Sequence, residues 1–140
     1  MKTKIFAVIA VAAVGIAVCG CVSTVAGDKT AAVPIGSDKI EARYPRPMED
    51  VFQAAMEVVK FNGTLVHDST IYGQTNYVNN IAKVVEGKIN QRTVWVRVGQ
   101  EDPKVTSVVV QARTSGGMAD KDLAAMIDKQ IALKLASRSR

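Results

Sequence analysis

The sequence predicts an α+β fold, a two-layer sandwich in which an antiparallel sheet of about five strands carries two helices on one face. Three observations predict it. Five segments have strand patterns and two have helical patterns, in the order β-α-β-β-β-β-α. The segments between successive strands are of hairpin length, which favours antiparallel pairing. Each predicted helix has one apolar stripe, so both helices need an apolar sheet face to cover them.

A strand and a helix open the folded region. Lys39–Tyr44 alternates apolar and charged residues, which is typical of a half-buried strand. Pro45 and Pro47 end that strand and favour the first turn of a helix. Asn62-Gly63 is expected to end the helix, because glycine enters left-handed geometry most easily. Apolar residues at helical spacing form its buried stripe: Met48, Val51, Phe52, Ala55, Val58 and Val59.

Four strands are predicted next. Gly73–Asn80 is rich in Asn and is expected to be a connecting loop, and Gly87 suggests a bulge inside the second of the four strands. The predicted ranges are Thr64–Tyr72, Ile81–Ile89, Thr93–Val98 and Val105–Arg113. The inward side of the first range stays open between two pairs, Leu65 with Ile71 and Val66 with Tyr72.

A second amphipathic helix closes the chain. Asp120 and Asp122 mark its start, because carboxylates are favourable at the positive end of a helix. Apolar residues four apart are predicted to form the buried stripe, with two more beside them: Leu123, Ile127, Ile131 and Leu135, then Met126 and Leu133.

The N-terminus carries an export signal. Lys2 and Lys4 precede an apolar run, Ile5–Val18, and a small residue, Gly20, stands just before Cys21. This pattern is that of a secretory signal peptide. The alternative is an uncleaved anchor, but a spanning helix needs about 20 apolar residues and this run is shorter. The stretch ending at Cys21 resembles the lipobox of bacterial lipoproteins, with an aliphatic residue at −3 and a small residue at −1.

That resemblance implies the domain organisation. Cleavage would remove residues 1–20 and make Cys21 the lipidated first residue of the mature protein. Residues 21–37 would be a flexible tether, and residues 38–140 a single α+β domain. Because Val22 rather than Asp follows the cysteine, the resemblance implies the outer membrane, with the domain facing the periplasm. Several acyl chains on one cysteine would hold the protein there stably.

Charge and cysteine content narrow the possible partners. The precursor has 18 basic and 13 acidic residues, and removal of Lys2 and Lys4 with the signal leaves 16 against 13, or +3. An exported protein of such small charge is not expected to bind nucleic acid. The membrane, through the lipid on Cys21, and an envelope protein or acidic polymer are the expected partners. No intramolecular disulfide is expected either, since Cys19 leaves with the signal and Cys21 carries lipid.

Catalytic and metal sites are not predicted. His67 is the single histidine, and a zinc site would need three carboxylates around it. Asp68 cannot orient the His67 ring, because adjacent strand residues point to opposite faces. We therefore expect His67 to be an ordinary half-buried strand residue. Gly116-Gly117 precedes a helix but lacks the lysine of a phosphate-binding loop. No cofactor is predicted.

One constellation suggests binding. If Val94, Val96 and Val98 face the helices, the opposite sheet face carries one tryptophan and several arginines, a composition typical of binding surfaces. The candidate residues are Arg43, Trp95, Arg97 and Arg113. The alternative is that Trp95 merely covers the backbone and stacks on arginine stems.

From about Ile40 to Leu135 the sequence resembles a family of short bacterial lipoproteins of unknown function. They share a lipobox, an opening of the form IEARYPRPMEDVFQAAMEVVKFNG, a β-meander and a closing amphipathic helix. The resemblance implies no activity. The expected function is therefore that of a non-enzymatic, lipid-anchored binding or scaffolding domain in the cell envelope. The alternative is an enzyme, or an enzyme accessory, that acts on an envelope polymer.

Overall fold

The computed structural model describes residues 20–23, 29–32, 38–73 and 76–139. Seven strands and two α-helices are found in these ranges, together with a short 3₁₀ helix over Val78–Asn80. The strands are β1 (Gly20–Ser23), β2 (Lys29–Ala32), β3 (Lys39–Tyr44), β4 (Thr64–Tyr72), β5 (Ile81–Ile89), β6 (Arg92–Asp102) and β7 (Val105–Thr114). The helices are α1 (Met48–Asn62) and α2 (Lys121–Ser137).

The main sheet has the order β3-β7-β6-β5-β4, and every neighbouring pair is antiparallel. The four strands from β4 to β7 form a meander, and β3 joins its far edge beside β7. Helices α1 and α2 pack on one face of this sheet and on each other. The predicted fold class and element order are therefore confirmed.

The core lies between the sheet and the helices. Val94, Val96 and Val98 of β6 are fully buried there, as their alternation predicted. Helix α1 contributes its predicted stripe, with Met48 only partly buried and Ala54 buried in addition. Gly63 ends α1 in an extended conformation (φ −173°), not in the expected left-handed one. Glycine is needed because a Cβ there would lie 2.2 Å from the carbonyl oxygen of Lys88.

Helix α2 begins as predicted. The Asp120 side chain accepts a hydrogen bond of 3.0 Å from the backbone N–H of Leu123, which satisfies one free donor of the first turn. Ile127, Ile131 and Leu135 are buried. The prediction for Met126 and Leu133 was wrong, since these side chains are 37% and 61% exposed. They lie on the opposite side of the helix from the buried stripe, which Ala124 completes instead.

A bulge was predicted at Gly87 in β5, but it occurs in the neighbouring strand β4. The β4–β5 register shifts between Leu65 and His67, so the extra residue is Val66. The shift exchanges the two faces of β4. Leu65 therefore packs on the helix side, whereas Ile71 pairs with Ala82 on the opposite face of the sheet. Gly87 has a different role, since a Cβ there would lie 2.2 Å from Val59 of α1. Glycine at this position allows α1 to pack closely against β5.

The predicted tether contains structure that its composition did not indicate. Strands β1 and β2 form an antiparallel two-stranded sheet with Gly20 opposite Ala32 and Ser23 opposite Lys29. Residues 1–19 lie outside the described residues, so the signal peptide and the lipidation of Cys21 stay predictions. Among the helices that the structure describes, none has both the length and the apolar character needed to cross a bilayer.

Candidate binding cleft

The four residues of the predicted binding surface lie on one face of the sheet, as the alternation required. We call the face turned away from α1 and α2 the outer face. Arg97 is paired across the strands with Val109, and Val109 with Glu41. Trp95 pairs with Gln111, Arg43 with Ser107, and Arg113 with Thr93. The strand register was therefore predicted correctly.

Exposure on this face was predicted wrongly for Arg113. Its side chain is buried, with 4% of the residue exposed, and its guanidinium pairs with the Asp38 carboxylate. Arg113 Nη1 also donates to the carbonyl oxygen of Gly117 at 2.9 Å. Gln111 Nε2 donates to the same Asp38 carboxylate. These contacts fix the residue before β3 to β7, so Arg113 serves the fold and is not available on the surface.

Trp95 differs from expectation in the same way. It is 8% exposed, and its cross-strand neighbours on the outer face are Glu86 and Gln111. A side chain with so little exposed surface cannot provide the centre of a docking surface without a rearrangement. The alternative interpretation of Trp95, as cover for the sheet, fits this burial.

Arg43 is exposed but its charge is already compensated. Arg43 Nε donates to Glu101 Oε2 at 2.8 Å, and its Nη2 lies 3.0 Å from Glu41 Oε1. The hydrogen bond that Arg43 donates to Glu101 raises the pKa of the Arg43 guanidinium. Glu101 reaches Arg43 because the β6–β7 register shifts between Gln100 and Asp102, which leaves Glu101 as the bulged residue.

Arg97 lies in a cleft of about 460 Å³ on the outer face. The lining combines one cation, two carboxylates, three uncharged polar residues and one valine: Glu41, Asn76, Tyr77, Arg97, Glu101, Ser107 and Val109. Asn76 and Tyr77, which precede β5, provide one wall, and strands β3, β6 and β7 provide the floor. Polar groups from several elements therefore converge on one concave surface.

Tyr77 is placed by the turn that precedes β5. Gly73 N–H donates to the carbonyl oxygen of Asn80 at 2.8 Å, and Asn80 N–H donates to that of Tyr77 at 3.0 Å. Asn79 and Asn80 adopt positive φ, which asparagine tolerates better than most residues. The Tyr77 ring packs directly on Gly99, where a Cβ would lie 2.2 Å from the ring. Sequence reasoning treated this segment only as a connection. The glycine inside an otherwise β-branched strand was the available signal for a close approach.

Arg97 is the one predicted residue whose charge stays available. It is partly exposed, and within the described part of the chain its side chain makes no hydrogen bond or ion pair. Its Nε is buried and without an acceptor. A buried donor without a partner costs about 1–3 kcal/mol, so an acceptor supplied by a ligand would be favourable here. The planar guanidinium suits a carboxylate or a phosphate, which it can grip with two parallel hydrogen bonds.

A second, larger concavity of about 650 Å³ lies between the outward sides of α1 and α2. Most of its polar groups are paired. Asn62 Nδ2 donates to Gln130 Oε1 at 2.6 Å, and Lys134 Nζ lies 2.8 Å from Glu57 Oε2. The hydrogen bond from Lys134 lowers the pKa of the Glu57 carboxyl. Lys60 is exposed and makes no ion pair, but none of the described polar side-chain atoms in this groove is buried without a partner, which distinguishes it from the cleft.

The single histidine, His67, is not among the residues that line the cleft. His67 is exposed on the edge strand β4, not half-buried as expected, because the bulge at Val66 displaces it. Its cross-strand neighbour is Glu86, while Asp68 pairs with Val85. Among the described residues, no group of three or more His, Cys, Asp or Glu side chains is arranged to hold a metal ion.

Comparison with known protein families identifies a relationship for this chain. No curated protein matches this chain. A family model does match, over residues 4–134 of the 140, and its description is "Protein of unknown function (DUF3568)". The match spans nearly the whole chain, including the sheet and most of α2. The expected relation to a family of unknown function is thus confirmed, and the chain belongs to the DUF3568 family.

Proposed function

We propose that this protein is a lipid-anchored binding protein of the bacterial cell envelope, without enzymatic activity of its own. The support for the anchor comes from the sequence: an apolar run after two lysines, followed by Gly20-Cys21. The support for binding comes from the cleft on the outer face. The two parts are separable, because the anchor precedes residue 38 and the cleft lies within the folded domain.

The observation that carries the binding role is the unpaired guanidinium of Arg97. The other two arginines of the predicted surface already form ion pairs. Arg43 pairs with Glu41 and Glu101, and Arg113 pairs with Asp38. Arg97 alone of the four offers free donors inside a concave site. A guanidinium that makes no ion pair within the described part of the chain can receive an anionic group from a ligand.

The residues that line the cleft favour a polymer with carboxylate groups as the ligand. Glu41 and Glu101 lie near Arg97, so a densely charged polyanion would be repelled by them. A single carboxylate, flanked by hydrogen-bonding groups, would pair with Arg97 and use the Tyr77 and Ser107 hydroxyls or the Asn76 amide. Peptide carboxylates of a cell-wall polymer have this character.

Capture by purified cell-wall sacculi tests the binding role. Arg97→Gln should lower the fraction captured by about tenfold, because a charge-assisted pair contributes about 1.5–3 kcal/mol. Lys121→Gln removes the same charge from an exposed position on α2 and should leave capture unchanged. Rising salt should weaken capture of the wild type more than that of Arg97→Gln. Equal capture of all three proteins would contradict the proposal.

Fractionation of cells tests the anchor. Cys21→Ser should abolish lipid attachment and move the protein to the soluble periplasmic fraction, whereas Cys19→Ser should leave it with the membrane. Release of both variants, or of neither, would show that Cys21 is not the lipidation site. That result would leave the binding role of Arg97 untouched.

A further inference from the structure

The cleft and the start of the domain lie toward opposite ends of the sheet. Asp38 pairs with Arg113, which is opposite Thr93 in the register, and Thr93 is opposite Lys88. All of these positions flank the β5–β6 turn at Asn90-Gln91. We call this the basal end, and the end at the β6–β7 turn the distal end. The predicted lipid attachment therefore connects to the basal end.

Both helices also present a terminus at the basal end. Helix α1 finishes there, because Gly63, which follows it, approaches the backbone of Lys88. Helix α2 starts there, because its capping residue Asp120 pairs with Arg92 at the beginning of β6. The first turn of α1 and the last turn of α2 are at the distal end, where Arg138 donates to the carbonyl oxygen of Asp50.

Unpaired positive charge is concentrated toward the basal end. Among the lysines whose side chains the structure describes, six are exposed and make no ion pair, and four of them lie toward the basal end: Lys39, Lys60, Lys88 and Lys121. Of the other two, Lys129 lies at the middle of α2 and Lys104 at the distal turn. Near the basal end Asp38 pairs with Arg113 and Asp120 with Arg92, whereas Asp122 and Glu86 make no ion pair, so unpaired lysines outnumber unpaired carboxylates there by four to two. The distal end instead carries Asp102 beside that turn.

Exposed apolar side chains accompany these lysines. Phe61, in the last turn of α1, is 85% exposed, and Met118, just before α2, is 64% exposed. Val66 at the bulge of β4 is 50% exposed. An exposed aromatic side chain at the same end of the molecule as several lysines with long apolar stems is suited to the boundary between lipid headgroups and acyl chains.

We propose that the basal end rests on an anionic lipid surface, with Phe61 inserted and the basal lysines against the headgroups. The location of this contact rests on the proposed lipid attachment at Cys21. Asp38 is the seventeenth residue after Cys21 (38 minus 21), and a fully extended chain of that length spans at most about 60 Å, so the anchor permits the contact. With the basal end on the membrane, the cleft lies toward the end of the sheet that is farther from the lipid.

Co-sedimentation with vesicles tests the contact without the lipid anchor. The mature chain from residue 21, carrying Cys21→Ser, is mixed with phosphatidylcholine vesicles that contain or lack phosphatidylglycerol. Weak binding that depends on phosphatidylglycerol and falls with salt is expected. Lys60→Gln combined with Lys88→Gln should weaken it roughly 30-fold, since each basic residue near an anionic surface contributes about 1 kcal/mol.

Matched variants at the distal end provide the controls. Lys104→Gln removes an unpaired exposed lysine there and should leave vesicle binding unchanged. Phe61→Ser should weaken binding, whereas Tyr72→Ser, at a distal side chain that is 76% exposed, should not. Absence of binding, equal effects at both ends, or self-association through Phe61 in place of lipid binding would overturn the proposal. Because Cys21 is already replaced, failure of the predicted lipidation would not produce any of these results.

Discussion

The two faces of the main sheet follow the same alternation but have different properties. On the helix side, Val94, Val96 and Val98 are fully buried among other aliphatic side chains. On the outer face the intervening residues Trp95 and Arg97 differ from each other, since Trp95 is buried and Arg97 is partly exposed. Alternation determines the direction of a side chain. What covers that side chain depends on parts of the chain that are distant in sequence.

This difference separates residues that maintain the fold from residues that are available for binding. On the helix side every position contributes to packing. On the outer face, Arg113 and Arg97 carry the same side chain in different surroundings. Arg113 pairs with Asp38, whereas Arg97 has no partner among the described residues. Substitutions on the two faces should therefore affect stability in a defined order.

The largest effect is expected at the centre of the helix side. Val96→Asp should unfold the domain, because an unpaired buried charge costs several kcal/mol against a total stability of about 5–15 kcal/mol. Circular dichroism during thermal denaturation would measure this loss. A variant that melts like the wild type would mean that the two sheet faces are exchanged.

Trp95→Ala should be the most destabilising truncation on the outer face. Removing a buried aromatic side chain typically costs about 3–5 kcal/mol. The midpoint of urea unfolding should fall accordingly. A loss below about 0.5 kcal/mol, the usual range for surface substitutions, would indicate that Trp95 is exposed in solution and would restore it as a candidate for binding.

The two arginines of the outer face should respond differently to an identical change. Arg113→Gln should lower the free energy of unfolding by about 3 kcal/mol, because it leaves the Asp38 carboxylate buried without its cation. Arg97→Gln should change it by less than about 0.5 kcal/mol, or raise it slightly, since an unsatisfied donor is removed. Equal losses in the two variants would contradict the assignment of Arg97 as a free residue.

A smaller, pH-dependent effect is expected where β3 meets α2. Tyr44 Oη donates to Asp128 Oδ1 at 2.8 Å, and burial together with this hydrogen bond raises the pKa of the Tyr44 hydroxyl. An unfolded tyrosine loses its proton near pH 10, before the folded one does. The stabilising contribution of Tyr44 is therefore present below about pH 10 and is lost as the pH rises further.

Tyr44→Phe should accordingly cost about 1 kcal/mol near neutral pH and make the decline of stability above pH 10 shallower. Thermal denaturation at a series of alkaline pH values would measure both effects. Tyr72→Phe, at an exposed position of β4, is the matched control and should retain the wild-type slope. The same slope in Tyr44→Phe as in the wild type would show that the contact with Asp128 is absent.

Most of the fold could be predicted because its elements are marked locally. Alternation marked β3 and β6, prolines marked the start of α1, and Asp120 marked the start of α2. The errors concern properties that are set by contacts with distant residues. The bulge occurs at Val66 in β4 and not at Gly87 in β5. Glycine at position 87 instead allows the close approach of Val59 from α1.

The candidate site was predicted less completely for the same reason. The residues on the outer face followed from alternation, but the pairing of Arg113 with Asp38 joins positions 75 apart in the chain. The position of Tyr77 against Gly99 depends on a turn with two asparagines at positive φ. Neither contact is indicated by a pattern in the neighbouring sequence. Sequence alone therefore could not distinguish Arg97 from Arg43 and Arg113.

The central claim is that the Arg97 guanidinium is free to receive a carboxylate, and NMR of the arginine Nε–H groups tests it most directly. Arg97 and Arg113 both have a buried Nε without a hydrogen-bond partner, which makes Arg113 an internal reference. Titration with soluble carboxylate-bearing fragments of cell-wall polymer should shift the Nε–H resonance of Arg97 in a saturable way and leave that of Arg113 in place. A titration that moves neither resonance, or moves both equally, would contradict the account.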